Sequence, residues 1–149
     1  MSSHSHVIAV VDDDEISLLL IKKIFERKQS ADNFLLFSNA FNALGYLEDN
    51  ANNPVQLPTV LLLDITMPLM SGWQFLKEFE KIKFTEGYTP PIFIVSASIN
   101  VDFEMLRKYP FVKGYFLKPV IPDKLNAKLE SLKLNKRVNI PVGSEILQD

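Results

Sequence analysis

Apolar residues in this chain come in short unbroken runs, without the every-other pattern of a half-exposed strand. The runs fall at about His6–Val11, Phe34–Phe37, Thr59–Leu63, Pro91–Val95 and Lys113–Leu117. Runs of this length, bounded by polar residues and turn formers, predict strands buried on both faces of a sheet. Between them the spacing becomes helical. Glu15–Lys28 carries Ile16, Leu19, Leu20 and Ile24 on one face, and Asp13 or Asp14 is placed to cap its start. Ser38 or Asn39 opens a second helix with Ala40, Ala43, Leu44 and Leu47 at helical spacing. Trp73–Lys83 turns Phe75, Phe79 and Ile82 inward. Asp102–Tyr109 is a weaker helix, and Pro122–Leu134 sets Leu125, Leu129 and Leu132 on one stripe. Asp49–Pro58 and Phe84–Pro90 read as loops, and Met67-Pro68 with Ser71-Gly72 as a turn.

Strict alternation of strands and helices implies parallel pairing through right-handed crossovers. The expected fold is therefore α/β: a doubly wound, five-stranded parallel sheet with five helices. A length of 149 residues suits one domain, here residues 1–134. Asn135–Asp149 loses helical periodicity, contains Pro141 and Gly143, and reads as a flexible C-terminal tail.

Composition narrows the function. A formal net charge of −2 gives no electrostatic case for binding nucleic acid. With no cysteine, thiol catalysis, disulfides and cysteine-ligated zinc are excluded. The histidines are His4 and His6, both at the N-terminus, which disfavours a histidine-based active site. No apolar stretch approaches the roughly 20 residues that span a bilayer, and no signal peptide is read, so the cytoplasm is the expected compartment.

The chemistry sits at the strand ends. The first strand runs into Asp12-Asp13-Asp14, and the third into Asp64. Ligands of open α/β sheets sit outside the carboxyl ends of the strands, so these acids are expected to share a crevice. Gathered carboxylates repel one another unless a proton or cation relieves them. A hard cation with oxygen ligands is the natural partner.

Four segments, each at a predicted strand end and in the right order, resemble a response-regulator receiver domain of two-component signalling. They are Val10-Val11-Asp12-Asp13-Asp14, Leu62-Leu63-Asp64-Ile65-Thr66-Met67-Pro68-Leu69-Met70-Ser71-Gly72, Ile94-Val95-Ser96-Ala97 and Gly114-Tyr115-Phe116-Leu117-Lys118-Pro119. The resemblance covers about Val7 to Leu134. It implies a flavodoxin-like fold with strand order 2-1-3-4-5.

The resemblance also assigns roles. Asp64 matches the phospho-acceptor. Asp12, Asp13, Asp64 and the Thr66 backbone carbonyl match the set that holds Mg²⁺, while Asp14 is read mainly as a helix cap. Lys118 is expected to pair with Asp64 at rest and with a phosphoryl oxygen afterwards, and the Lys118–Pro119 bond is expected to be cis. Ser96 matches the hydroxyl switch residue and Tyr115 the aromatic one, with a packed strand tyrosine as the plainer reading of Tyr115. Thr66 and Ser98 fall at the lifetime-tuning positions. Neither is acidic or an amide, which predicts a phospho-form that is not especially short-lived. Trp73 lies close enough in sequence to report on metal or phosphoryl binding by fluorescence.

The phosphoryl group would come from a sensor histidine kinase or a histidine phosphotransfer protein. Output would pass to a separate effector, or to a second copy, through the face of the fourth helix, fifth strand and fifth helix. A phosphorelay shuttle, a phosphate sink and an unphosphorylated receiver-like scaffold stand beside that reading. An aspartyl-nucleophile phosphatase, the enzyme alternative, would have an acid two residues after the nucleophile, where this chain has Thr66.

Overall fold

The computed structural model describes residues 6–28, 33–67, 69–85, 88–98 and 102–137. His4, Pro68, the middle of the Phe84–Pro90 loop and the tail from residue 138 lie outside the described residues. The elements in order are β1 (Val7–Val11), α1 (Glu15–Arg27), β2 (Asn33–Phe37), α2 (Ala40–Asp49), β3 (Val60–Asp64), α3 (Gly72–Phe79), β4 (Ile92–Ser96), α4 (Phe103–Arg107), β5 (Val112–Leu117) and α5 (Pro122–Arg137). A short 3-10 turn over Pro54–Gln56 interrupts the loop before β3.

The strands form one parallel sheet in the order β2-β1-β3-β4-β5, the flavodoxin-like arrangement. Every residue of β3 and β4 is buried, as the unbroken apolar runs require. On one face, Ala9, Val11, Leu61, Leu63, Ile92 and Ile94 pack with Ala40, Ala43, Leu44 and Leu47 of α2 and with Phe75, Leu76 and Phe79 of α3. On the other face Phe34 of β2 meets Phe25 of α1 edge-on, with ring centroids 5.4 Å apart. The chain forms two compact units, residues 1–119 and 120–149. The first holds the sheet and α1–α4. The second holds α5, which continues three residues past the expected Leu134 to Arg137.

Two expectations need correction. The buried face of α1 is Leu18, Ile21 and Phe25, whereas Ile16, Leu19 and Leu20 are exposed at 73%, 54% and 50%. The helix carries two apolar stripes, and periodicity alone ranks neither. The stripe that holds the largest side chain, Phe25, faces the sheet. The rotation is held at the start by Asp14, whose carboxylate caps the Ile16 N–H at 3.0 Å. Second, α3 ends at Phe79, short of Lys83. The chain there tightens into i+3 bonds, Lys81 N–H to Glu78 O and Ile82 N–H to Phe79 O, and Thr85 N–H then ties it to Ala51 O at 2.9 Å. Ile82 still packs on the core from the turn. The weak fourth helix is short, with Asp102 capping two of its N–H groups.

Candidate functional site

The sheet register lines up the strand ends. Val11 pairs with Leu63, Asp64 with Val95, and Ser96 with Leu117. The residues at or just past these ends are Asp12, Asp64, Ser96 and Lys118. Four segments far apart in sequence thus meet at the carboxyl edge of the sheet, where an α/β fold binds its ligands.

Asp12, Asp13 and Asp64 come together as expected, each with a carboxylate oxygen within 4.8 Å of the others. Asp12 and Asp64 are buried, at 4% and 6% exposure, while Asp13 faces solvent. Asp12 is held by its own loop, its Oδ1 accepting the Asp14 N–H at 2.9 Å. Asp64 accepts the Thr66 N–H at 3.2 Å. Asp14 is the cap of α1, the role expected for it.

Lys118 reaches two of the acids. Its Nζ lies 2.8 Å from Asp12 Oδ2 and donates to it, and is 3.8 Å from Asp64 Oδ2. The ammonium therefore pairs with Asp64, as expected, and more closely with Asp12. Burial alone would lower the Lys118 pKa, but the Asp12 hydrogen bond and the charges of Asp12, Asp64 and Asp14 raise it overall. The Lys118–Pro119 bond is cis, as expected.

The Asp64 carboxyl is pushed from 3.8 up to about 6. Burial is the largest cause, then the negative charge of Asp12. Lys118 and the Thr66 N–H oppose them without prevailing. Burial and the Asp12 charge both disfavour the ionised form, and a cation among these carboxylates would relieve both. Mg²⁺ fits that role. Oxygens on opposite sides of an octahedral Mg²⁺ lie about 4.2 Å apart. Three carboxylate oxygens within 4.8 Å reach that with small side-chain adjustments.

Ser96 is buried at the end of β4. Its hydroxyl accepts the Ser98 N–H at 3.0 Å and donates to Ser98 O at 3.1 Å, so it is engaged with its own loop. Ser96 O also accepts the Lys118 N–H at 2.9 Å. Thr66 and Ser98 are both exposed beside the acids' loops. Tyr115 is half-buried and meets Phe103 edge-on, with ring centroids 5.5 Å apart. Trp73 is half-exposed on the core side of α3.

Sequence reasoning missed three features. Phe103 as the partner of Tyr115 had no signal before the fold was known. A cleft of about 60 Å³ beside Asp13, lined by Asn39, Phe41, Met67, Leu69 and Met70, gathers three loops that no local pattern connects. Gly72 lies against the Asp64 backbone, a contact that its place in a turn did not reveal.

Acids and a lysine gathered at the carboxyl edge of a 2-1-3-4-5 parallel sheet define a flavodoxin-like α/β protein with a charged site at its strand ends. The chain belongs to the response regulator receiver domain family, whose model matches residues 8–130, so it is a receiver domain of two-component signalling. It is 25% identical to the probable methanogenesis regulatory protein FilR2 of Methanothrix harundinacea over 128 residues, 85% of this chain and 81% of that protein. It is 29% identical to the response regulator Rre1 of Synechocystis over 143 residues, 89% of this chain but 58% of Rre1. Among solved structures, a two-component response regulator from Cytophaga hutchinsonii superposes with a TM-score of 0.74 at 22% identity, covering 87% of this chain and 96% of that one. A receiver domain from Clostridium thermocellum gives 0.67 at 24% identity, covering 90% and 98%. No helix among the described residues is long and apolar enough to cross a membrane.

Proposed function

We propose that this receiver accepts a phosphoryl group on Asp64 from a phosphohistidine of a sensor kinase or phosphotransfer protein, in the cytoplasm, and passes the signal on by changing a partner-binding surface. The observation that carries the reading is the pairing of a buried Asp64 with Asp12, Asp13 and Lys118 at one sheet edge.

Asp64 Oδ attacks the phosphorus of the phosphoimidazole. A P–O bond forms as the P–N bond breaks, and the imidazole leaves with a proton taken from solvent. Such transition states are loose, so the protein contributes position and charge more than covalent chemistry. Mg²⁺, held by Asp12, Asp13, Asp64 and the Thr66 carbonyl, would neutralise phosphoryl oxygens and the acids that surround them. Lys118 turns its ammonium from Asp12 toward the new phosphoryl group. Its partial exposure and flexible stem permit that move.

The new group adds about −1.5 to −2 charge and three acceptor oxygens. Ser96 must release Ser98 to donate to one of them. That would shift the end of β4, whose neighbour β5 carries Tyr115 in edge contact with Phe103 of α4. The exposed stripe Ile16, Leu19, Leu20 begins one turn beyond Asp13 and offers the protein donor an apolar seat beside the acceptor. Thr66 and Ser98, each with a hydroxyl alone, leave the bound phosphoryl group without a strong water-orienting neighbour.

The test is incubation with Mg²⁺ and acetyl phosphate, read by intact mass beside an Asp64→Asn control. One added phosphoryl group that needs Mg²⁺ and vanishes in the control supports the reading. Absence of an adduct from small donors and phosphohistidine proteins alike would overturn it.

A further inference from the structure

The proposed phosphotransfer rests on where Asp64 stands, and Gly72, the first residue of α3, lies close against its backbone. A methyl group placed on Gly72 would lie 2.6 Å from Ile65 Cδ1, 2.7 Å from Ile65 Cα and 2.9 Å from Asp64 O. The last two belong to the peptide that immediately follows the acceptor. The Gly72 N–H donates to Ile65 O at 3.0 Å, so α3 is also tied to the next peptide, Ile65–Thr66. From the opposite side Ile65 N–H donates to Val95 O of β4 at 3.2 Å. The Asp64–Ile65 peptide is thus clamped between β4 and the start of α3.

Backbone conformation does not explain the glycine. Among the described residues the positive-φ glycine is Gly114, so Gly72 holds a conformation any residue adopts. Helix propensity would favour alanine. Space is the remaining reason.

We infer that Gly72 is a positioning residue for Asp64, setting the acceptor carboxylate against Asp12 and Lys118 through close approach of α3 to the Asp64–Ile65 peptide. This rests on the phosphotransfer reading for its functional consequence. Contacts under 3 Å to backbone cannot be relieved by a rotamer change, so an added methyl must move the peptide. A displacement approaching 1 Å at a reacting group costs on the order of 100-fold in rate.

The test compares Ile65→Ala with the double variant Ile65→Ala/Gly72→Ala, in the full chain. Removing the Ile65 side chain beyond Cβ clears the 2.6 Å contact and gives the new methyl room, so the double variant is expected to fold more readily than Gly72→Ala alone, which far-UV circular dichroism checks. The contacts to Ile65 Cα and Asp64 O remain. Gly45→Ala in α2, with nothing within 4 Å of the added methyl, controls for glycine replacement as such. Two quantities are read. One is the labelling rate with acetyl phosphate at saturating Mg²⁺. The other is the amide resonance of Thr66, which reports its bond to Asp64 Oδ1 without any phosphorylation. The double variant is expected to label about 10-fold or more slowly than Ile65→Ala, with the Thr66 amide shifted and Gly45→Ala unchanged in both. Equal rates in the two Ile65 variants would overturn the inference. Were the unaltered protein not labelled at all, the phosphotransfer reading would fall. The Thr66 amide would then decide alone, a shift supporting the positioning role and no shift overturning it.

Discussion

Replacing Asp64 by asparagine is expected to make the metal-free protein more stable, although it removes the residue on which the proposed function depends. Asp64 is buried and its carboxyl is raised from 3.8 to about 6 by burial and by Asp12. A group whose folded pKa lies above its unfolded one favours folding while it is protonated in both states. That contribution is lost as pH rises through the folded pKa. At pH 8 the folded protein therefore carries a carboxylate it holds poorly, at a cost of about 3 kcal/mol, from about 1.4 kcal/mol per pH unit. Asparagine keeps an Oδ1 to accept the Thr66 N–H and leaves the Lys118–Asp12 pair intact. Urea unfolding in chelator at pH 8 should then show Asp64→Asn more stable by about 2–3 kcal/mol. The gap should close between pH 6 and pH 4. Saturating Mg²⁺ should narrow it by stabilising the unaltered protein alone, through binding to the folded state. A variant less stable than the original at pH 8, or a gap that does not change with pH, would refute the reasoning.

Other outcomes follow from the same geometry. Lys118→Ala leaves Asp12 buried without its 2.8 Å partner and should cost about 2 kcal/mol at pH 7 by urea unfolding, with labelling by acetyl phosphate slowed at least about 10-fold. Phe79→Ala removes a ring that is 1% exposed and touches Phe84 and Phe111 at 5.3 and 4.7 Å, and should cost about 3–5 kcal/mol in thermal or urea unfolding. Leu19→Glu on the outer face of α1 should change stability by less than about 0.5 kcal/mol and leave acetyl phosphate labelling unaltered. The same variant should slow transfer from a phosphorylated histidine phosphotransfer protein, measured by loss of its label.

Much of this molecule is readable from its residues, and the reasons for the exceptions are physical. The strands are legible because β3 and β4 are buried on both faces, which leaves no polar position to break the run. The acids are legible because they terminate those runs, and a parallel sheet brings its strand ends to one edge. The face of α1 was not legible, since Leu18-Ile21-Phe25 and Ile16-Leu19-Leu20 satisfy helical spacing equally. Only the Phe25–Phe34 contact separates them, and it is tertiary. The end of α3 was missed because Ile82 is inward-facing in a turn as it would be in a helix. Lys118 sits among the acids and pairs with Asp64, but its closer bond to Asp12 was not legible. Residue type fixes that a lysine seeks a carboxylate, and a difference of 1 Å between Asp12 and Asp64 decides which.

The hydrogen bond from Lys118 to Asp12 joins residues 106 positions apart. Asp64 enters between them from the middle strand of the sheet. A segment that holds the whole constellation must run at least from Asp12 to Lys118, across β1, β3 and β5. Parallel strands close large loops before any of their contacts form, so these ends meet late in folding. On the phosphotransfer reading proposed above, a nascent or locally opened chain would be silent toward a phosphodonor. Labelling would then report that β1, β3 and β5 have come together.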